Sequence, residues 1–144
     1  MNKIFFVMLA MIGVLSGFSQ EKKPLKITII GLKDAKSTIL VGVYRKQDGF
    51  PEADKKPFKG YNIKPDSKNS ALTTITDLEY GEYAIAIYQD KNSDSKLNTG
   101  MFGIPKEPYA FSNNFKPKFS APKYDDCKFV YSAEKNEISI TLLD

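Results

Sequence analysis

The residues able to do chemistry crowd into one stretch of this chain. Asp90, Asn92, Asp94, Lys96 and Asn98 fall at every second position, the spacing by which a calcium loop turns alternate residues toward a hard cation. The seventh position of such a loop offers its backbone carbonyl, so Lys96 could ligate while its ammonium faced solvent. Two departures weaken the match. Ser95 stands at the sixth position, where glycine normally makes the sharp turn, and Met101 at the twelfth, where a bidentate Glu normally closes the shell. With two carboxylates any Ca²⁺ affinity is modest, and Glu107 is the acid that could complete the shell. The same residues also suit successive Asx-turns, each side chain accepting a backbone N–H two residues on, at the tip of a long hairpin, and this is the preferred reading. Both readings put the same atoms at the same end of the fold and differ only in whether a cation sits among them.

Asp90, Asp94 and Glu107 also admit a hydrolase, which needs two carboxyl groups facing one substrate with separated pKa values. Their neighbours are asparagines and lysines, with nothing apolar adjacent, so none has an evident reason to hold a proton at neutral pH. The expectation is therefore a non-enzymatic module, with the hydrolase as its alternative. Just downstream, Phe102, Glu107, Tyr109, Phe111, Asn113 and Asn114 form a candidate ligand platform for a protein or glycan. Rings of this kind stack on sugars or prolines, and the amides can bond hydroxyl groups. Core packing would explain the same rings.

What the chain lacks narrows its chemistry further. There is no His and only one Cys in 144 residues, which removes Ser-His-Asp and Cys-His nucleophiles, His-containing zinc sites and any intramolecular disulfide. Cys127 is expected to be a buried, inert residue of a strand spanning residues 127–131. A net charge of +4 is mild, and the lysines are scattered among acids, so nucleic acid is not an expected partner.

These residues must be positioned by β structure, because apolar residues recur with period two and almost never at helical spacing. Leu25, Ile27 and Ile29 alternate with Lys26 and Thr28, and Ile39, Val41 and Val43 alternate with Leu40, Gly42 and Tyr44. Joined by a short loop, the two runs read as a hairpin. Tyr83, Ile85 and Ile87 alternate with Ala84 and Ala86, which suits a central strand whose other face is approached closely. Further runs at residues 61–63, 72–75, 127–131 and 138–142 give about seven strands, an all-β single antiparallel sandwich of Ig-like type with two long loops. The loop from residue 90 to about 126 holds too many aromatic residues for a free linker and is expected to lie against one end of the sandwich. Leu78, Gly81 and Tyr83 have the spacing of a tyrosine corner, in which the phenol bonds back to the turn before its strand.

At the N-terminus, Asn2 and Lys3 precede an unbroken apolar run over residues 4–15, followed by Gly17 and Ser19 at small-residue positions. This is the pattern of a secretory signal peptide over residues 1–19, and the apolar run is shorter than the roughly 20 residues that span a bilayer. The expected product, residues 20–144, is a single exported domain of the periplasm or cell surface with no membrane span.

One run is distinctive as a whole. Gly81-Glu-Tyr-Ala-Ile-Ala-Ile-Tyr-Gln-Asp-Lys-Asn92, then Lys96-Leu97-Asn98, then Phe102-Gly-Ile-Pro-Lys-Glu-Pro-Tyr-Ala-Phe-Ser-Asn-Asn114 resembles the bacterial Domain of Unknown Function 2141 family across nearly the whole processed chain. The resemblance implies an exported protein and assigns no activity. Pro108 and Ala110 depart from the family pattern, in which glycine or another small residue is expected, and so does Ser95, where glycine is commoner. More loosely, the Leu78 to Tyr83 turn and the Asp90 to Asn98 spacing are similar to carboxypeptidase-regulatory-like and collagen-adhesin B-type domains, which implies a transthyretin-like sandwich and a noncatalytic role.

Overall fold

The computed structural model describes residues 21–51 and 55–144; the expected leader at residues 1–19 lies outside them. Among the described residues the strands in chain order are β1 (Leu25–Ile30), β2 (Thr38–Tyr44), β3 (Lys59–Ile63), β4 (Ser70–Ile75), β5 (Gly81–Asp90), β6 (Tyr109–Phe111), β7 (Phe129–Tyr131) and β8 (Glu137–Thr141). A single helical turn, α1 (Tyr124–Cys127), precedes β7. One sheet has the order β4-β1-β8 and the other β3-β2-β5-β6, with β7 also pairing β5. The fold is an all-β sandwich.

Its core follows from the alternation. Leu25, Ile27 and Ile29 of β1, with Ile140 of β8, face Ile39, Val41 and Val43 of β2 and Ile85 and Ile87 of β5, all buried in one cluster. Each such side chain contributes about 1.5–3 kcal/mol by leaving water. Tyr83 joins this core, and its hydroxyl donates to the Glu79 carbonyl at 3.0 Å, so the expected tyrosine corner is present.

Four expectations change. The eight strands among the described residues agree with the expected count of about seven, but β8 runs parallel to β1, so the sandwich is not wholly antiparallel. β1 and β2 do not form a hairpin: they belong to different sheets, and the chain between them crosses from one to the other. That crossing is pinned by Gln89, fully buried, whose Oε1 accepts from the Lys33 amide at 2.8 Å and whose Nε2 donates to the Asp34 carbonyl at 3.0 Å. Gly31 begins it with φ +82°, a conformation that L side chains resist. Cys127 ends α1 and is not in a strand, although it is buried as expected.

The fourth change concerns the long aromatic segment, which covers part of the outer face of the larger sheet and not an end of the sandwich. Phe50, Phe111, Tyr124 and Cys127 pack with Tyr44 over Ala84 as a second core. Phe50 is its hub, meeting Tyr44, Phe111 and Tyr124 edge-on at 5.3, 5.8 and 6.3 Å between centroids, the geometry that aromatic quadrupoles favour. Ser112 ties this layer down: its hydroxyl accepts from the Ile85 amide at 2.8 Å and donates to the Cys127 carbonyl at 2.5 Å.

Candidate functional site

β5 delivers Asp90 to the end of the larger sheet, where the carboxylate is almost fully buried. Oδ2 accepts the Ser95 amide at 2.9 Å and Oδ1 the Asp94 amide at 3.3 Å, folding residues 91–95 back over the strand end. Ser93 and Ser95 take φ of 61° and 59° to complete the turn. Ser95 thus occupies the left-handed conformation at the position where a calcium loop carries glycine. Asp94 is the second hub: Oδ1 accepts from the Lys96 amide at 2.9 Å, and Oδ2 accepts from the side-chain amides of Asn92 at 3.0 Å and Asn98 at 2.9 Å. These donors, the Asn98 amide foremost, hold its carboxyl below the usual carboxylate range.

Glu107 returns from the far side of the loop. It is buried, and its two oxygens accept the Lys91 amide at 2.8 Å and the Asn98 amide at 3.1 Å. Asp90, Asn92, Asp94, Asn98 and Glu107 therefore do meet in one network, bonded largely to backbone N–H groups. Among the described residues no group of three or more His, Cys, Asp or Glu side chains is placed to hold a metal ion.

The ordered loop borders a groove. On the outer face of the larger sheet, Gly60 of β3, Gly42 of β2 and Ala86 of β5 stand in one cross-strand row, and adjacent strands lie about 4.8 Å apart. Three small residues in register keep this face low over about two strand spacings, and the Tyr44 ring lies against the middle one, Gly42. The next row, Asn62, Leu40, Tyr88 and Tyr109, forms one wall. Phe111, in register with Ala86, stands at the β6 end of the row, the Tyr44 ring lies against Gly42, and Ser95, Lys96 and Leu97 of the loop also line the groove. The groove encloses about 520 Å³, within the range of small-ligand sites. Burial pushes the Tyr88 phenol up to about 12, so it remains a neutral hydrogen-bonding group.

Of the expected platform, only Tyr109 and Phe111 line this groove. Asn113 and Asn114 are structural: the Asn113 amide donates to the Lys128 carbonyl at 2.8 Å, and Asn114 donates to the Ser139 carbonyl at 3.1 Å while accepting the Thr141 amide at 2.7 Å. Phe102 stands apart at a loop tip, 93% exposed, and Glu107 serves the loop. Sequence reasoning missed Leu40, Gly42, Gly60, Ala86 and Tyr88 as site residues. The small residues were the available signal, but their register across three strands was not.

Compared with known families, residues 27–139 match the model of a family described as an uncharacterized protein conserved in bacteria (DUF2141). The chain belongs to this family. The match runs from within β1 to within β8 and so takes in the loop, the groove, the second core and most of the main core of this DUF2141 chain. No curated protein and no solved structure matches it.

Proposed function

We propose that this chain is an exported, non-enzymatic binding module whose ligand surface is the groove on the outer face of the larger sheet. The observation that carries this reading is the row of small residues Gly60, Gly42 and Ala86, which leaves room on the outer face for a groove of about 520 Å³ lined by Leu40, Tyr88, Tyr109 and Phe111, with the Tyr44 ring against Gly42. An apolar floor and tyrosine walls suit a bulky apolar or aromatic side chain on an extended segment of a partner protein. The 90–98 loop presents Ser95, Lys96 and Leu97 at the end of the groove, and its carboxylates serve order in place of catalysis. Export is supported by the leader pattern in residues 1–19.

The test is an amide-resolved NMR titration with N-acetylphenylalanine amide, comparing the parent with Gly60→Leu. A Cβ at Gly60 would meet only Pro57 Cγ, at 3.8 Å, so the substitution fills the trough without disturbing the sheet. Shifts centred on Gly42, Gly60 and Ala86 that vanish in Gly60→Leu are expected; no shifts there, or shifts that persist in the variant, would overturn the reading. Because the loop is held by its own N–H groups, millimolar Ca²⁺ and chelator should give the same Tm. An upward shift with Ca²⁺ that Asp94→Ala abolishes would instead make residues 90–98 a cation site.

A further inference from the structure

Beyond the groove, residues 99–106 form a short finger with an apolar tip. Its frame is rigid: Gly100 donates to the Ile104 carbonyl at 2.7 Å, Lys106 to the Asn98 carbonyl at 2.8 Å, and Thr99 pairs with Pro105. At the tip Met101, Phe102 and Ile104 are 78%, 93% and 63% exposed, whereas the other large exposed apolar residues are scattered along the chain. Phe102 holds φ +61°, an uncommon conformation for a bulky residue, and its ring makes no aromatic contact within the described fold. The ring is displayed, not packed.

Beside the tip lies a shallow concavity of about 460 Å³ lined by Lys91, Asn92, Asn98, Thr99, Lys106 and Glu107. Glu107 is turned inward onto two backbone amides, and Asp90 is buried likewise. Lys91, Lys96 and Lys106 are exposed and form no ion pair among the described residues. The loop has equal numbers of acids and bases in sequence, but the charge it shows to solvent is mainly positive. An apolar wedge next to paired ammonium groups and side-chain donors is complementary to an interface that is apolar below and anionic above.

We propose that this end of the sandwich docks on a membrane surface bearing anionic phospholipids, with Met101, Phe102 and Ile104 entering the acyl boundary and Lys91 and Lys106 meeting headgroup phosphate. Three side chains and two lysines give reversible attachment, weaker than lipid-anchored binding. This surface is separate from the groove, so either can fail without the other.

The experiment is co-sedimentation of the chain from residue 20, which carries every strand described, with phosphatidylcholine vesicles alone or with about 30% phosphatidylglycerol. Binding to the anionic vesicles only is expected, with release at about 0.5 M salt, where screening shortens the reach of charge. Phe102→Asn removes the ring while keeping a residue tolerant of positive φ, and should weaken binding about tenfold or more. Lys91→Ala and Lys106→Ala should each weaken it about fivefold. Unchanged Tm in all three variants keeps the comparison fair. Failure to bind anionic vesicles, equal binding to neutral ones, or parent-like binding by Phe102→Asn would overturn the proposal. So would self-association abolished by Phe102→Asn, which would assign the tip to a second copy of the chain. Displacement by soluble glycerol phosphate with Phe102→Asn unaffected would assign the lysines to a free phosphate ligand instead.

Discussion

Asp90→Ala offers the sharpest test of how the site is held. The carboxylate is 2% exposed and carries two loop amides, Ser95 at 2.9 Å and Asp94 at 3.3 Å. A hydrogen bond to a charged acceptor contributes about 1.5–3 kcal/mol, and the longer contact belongs at or below the bottom of that range, so the pair is worth about 2–4 kcal/mol. The loss should be local, because Glu107 still anchors the other side of the loop through Lys91 and Asn98 and the core does not reach residue 90. Amide hydrogen exchange reads local opening directly. The Asp94 and Ser95 amides should exchange about 30- to 1000-fold faster in the variant, at the usual tenfold per 1.4 kcal/mol, while those of β1 and β5 keep their protection. A protease cut should then appear in residues 91–98 before any elsewhere. Loop amides exchanging at the parent rate would refute the reasoning, since the turn would not depend on the carboxylate. Equal acceleration throughout β5 would refute it differently, by making Asp90 part of the global fold.

Gln89→Leu should lower Tm by roughly 4–12 °C, because two bonds to the crossing between the sheets are lost at about 1–3 kcal/mol in all; thermal unfolding by circular dichroism checks this, and an unchanged Tm would mean that the crossing holds itself. Burial pushes the Cys127 thiol up to about 12, so it should resist a disulfide reagent at about pH 8 in the native protein and react fully in denaturant; rapid native reaction would contradict its burial. Asp94 titrates below its ordinary 3.8 when folded, so its contribution to loop order is complete above 3.8 and disappears as pH falls through the folded value. The Asn92 and Asn98 side-chain amide resonances should therefore stay dispersed down to that pH and collapse together below it, and collapse well above 3.8 would count against Asp94 as the hub.

The strands were legible because burial at every second residue is a local property, written into Leu25, Ile27 and Ile29 without reference to any partner. The pairing was not, because single polar residues acting over long separations decide it. Gln89 bonds Lys33, 56 residues away, and Ser112 and Asn114 each act across 27 residues, on Ile85 and Thr141. Nothing in their neighbours announces this. The loop at residues 90–98 was legible for the opposite reason: the bonds within it span two to six residues, so spacing alone nearly specifies them.

The groove falls between these cases. Ala84 and Ala86 are adjacent outward positions of one strand and look alike in sequence, yet they have opposite fates. Ala84 lies beneath Tyr44, Phe50, Tyr124 and Cys127 and is fully buried. Ala86 is half-buried at the margin of that second core, in register with Phe111, and pairs across to Gly42, which pairs in turn with Gly60. A small residue on an outer face admits close approach by whatever comes next; in one row the second core covers it fully, and in the next only the Tyr44 ring on Gly42 and the margin of that core reach it. The groove is thus a property of where Phe50 and α1 end, and their reach is set by Ser112 and by Tyr124, whose hydroxyl donates to the Glu82 carbonyl at 3.0 Å. Those anchors draw the second core toward the start of β5 and leave its later half, next to the Asp90 loop, less covered.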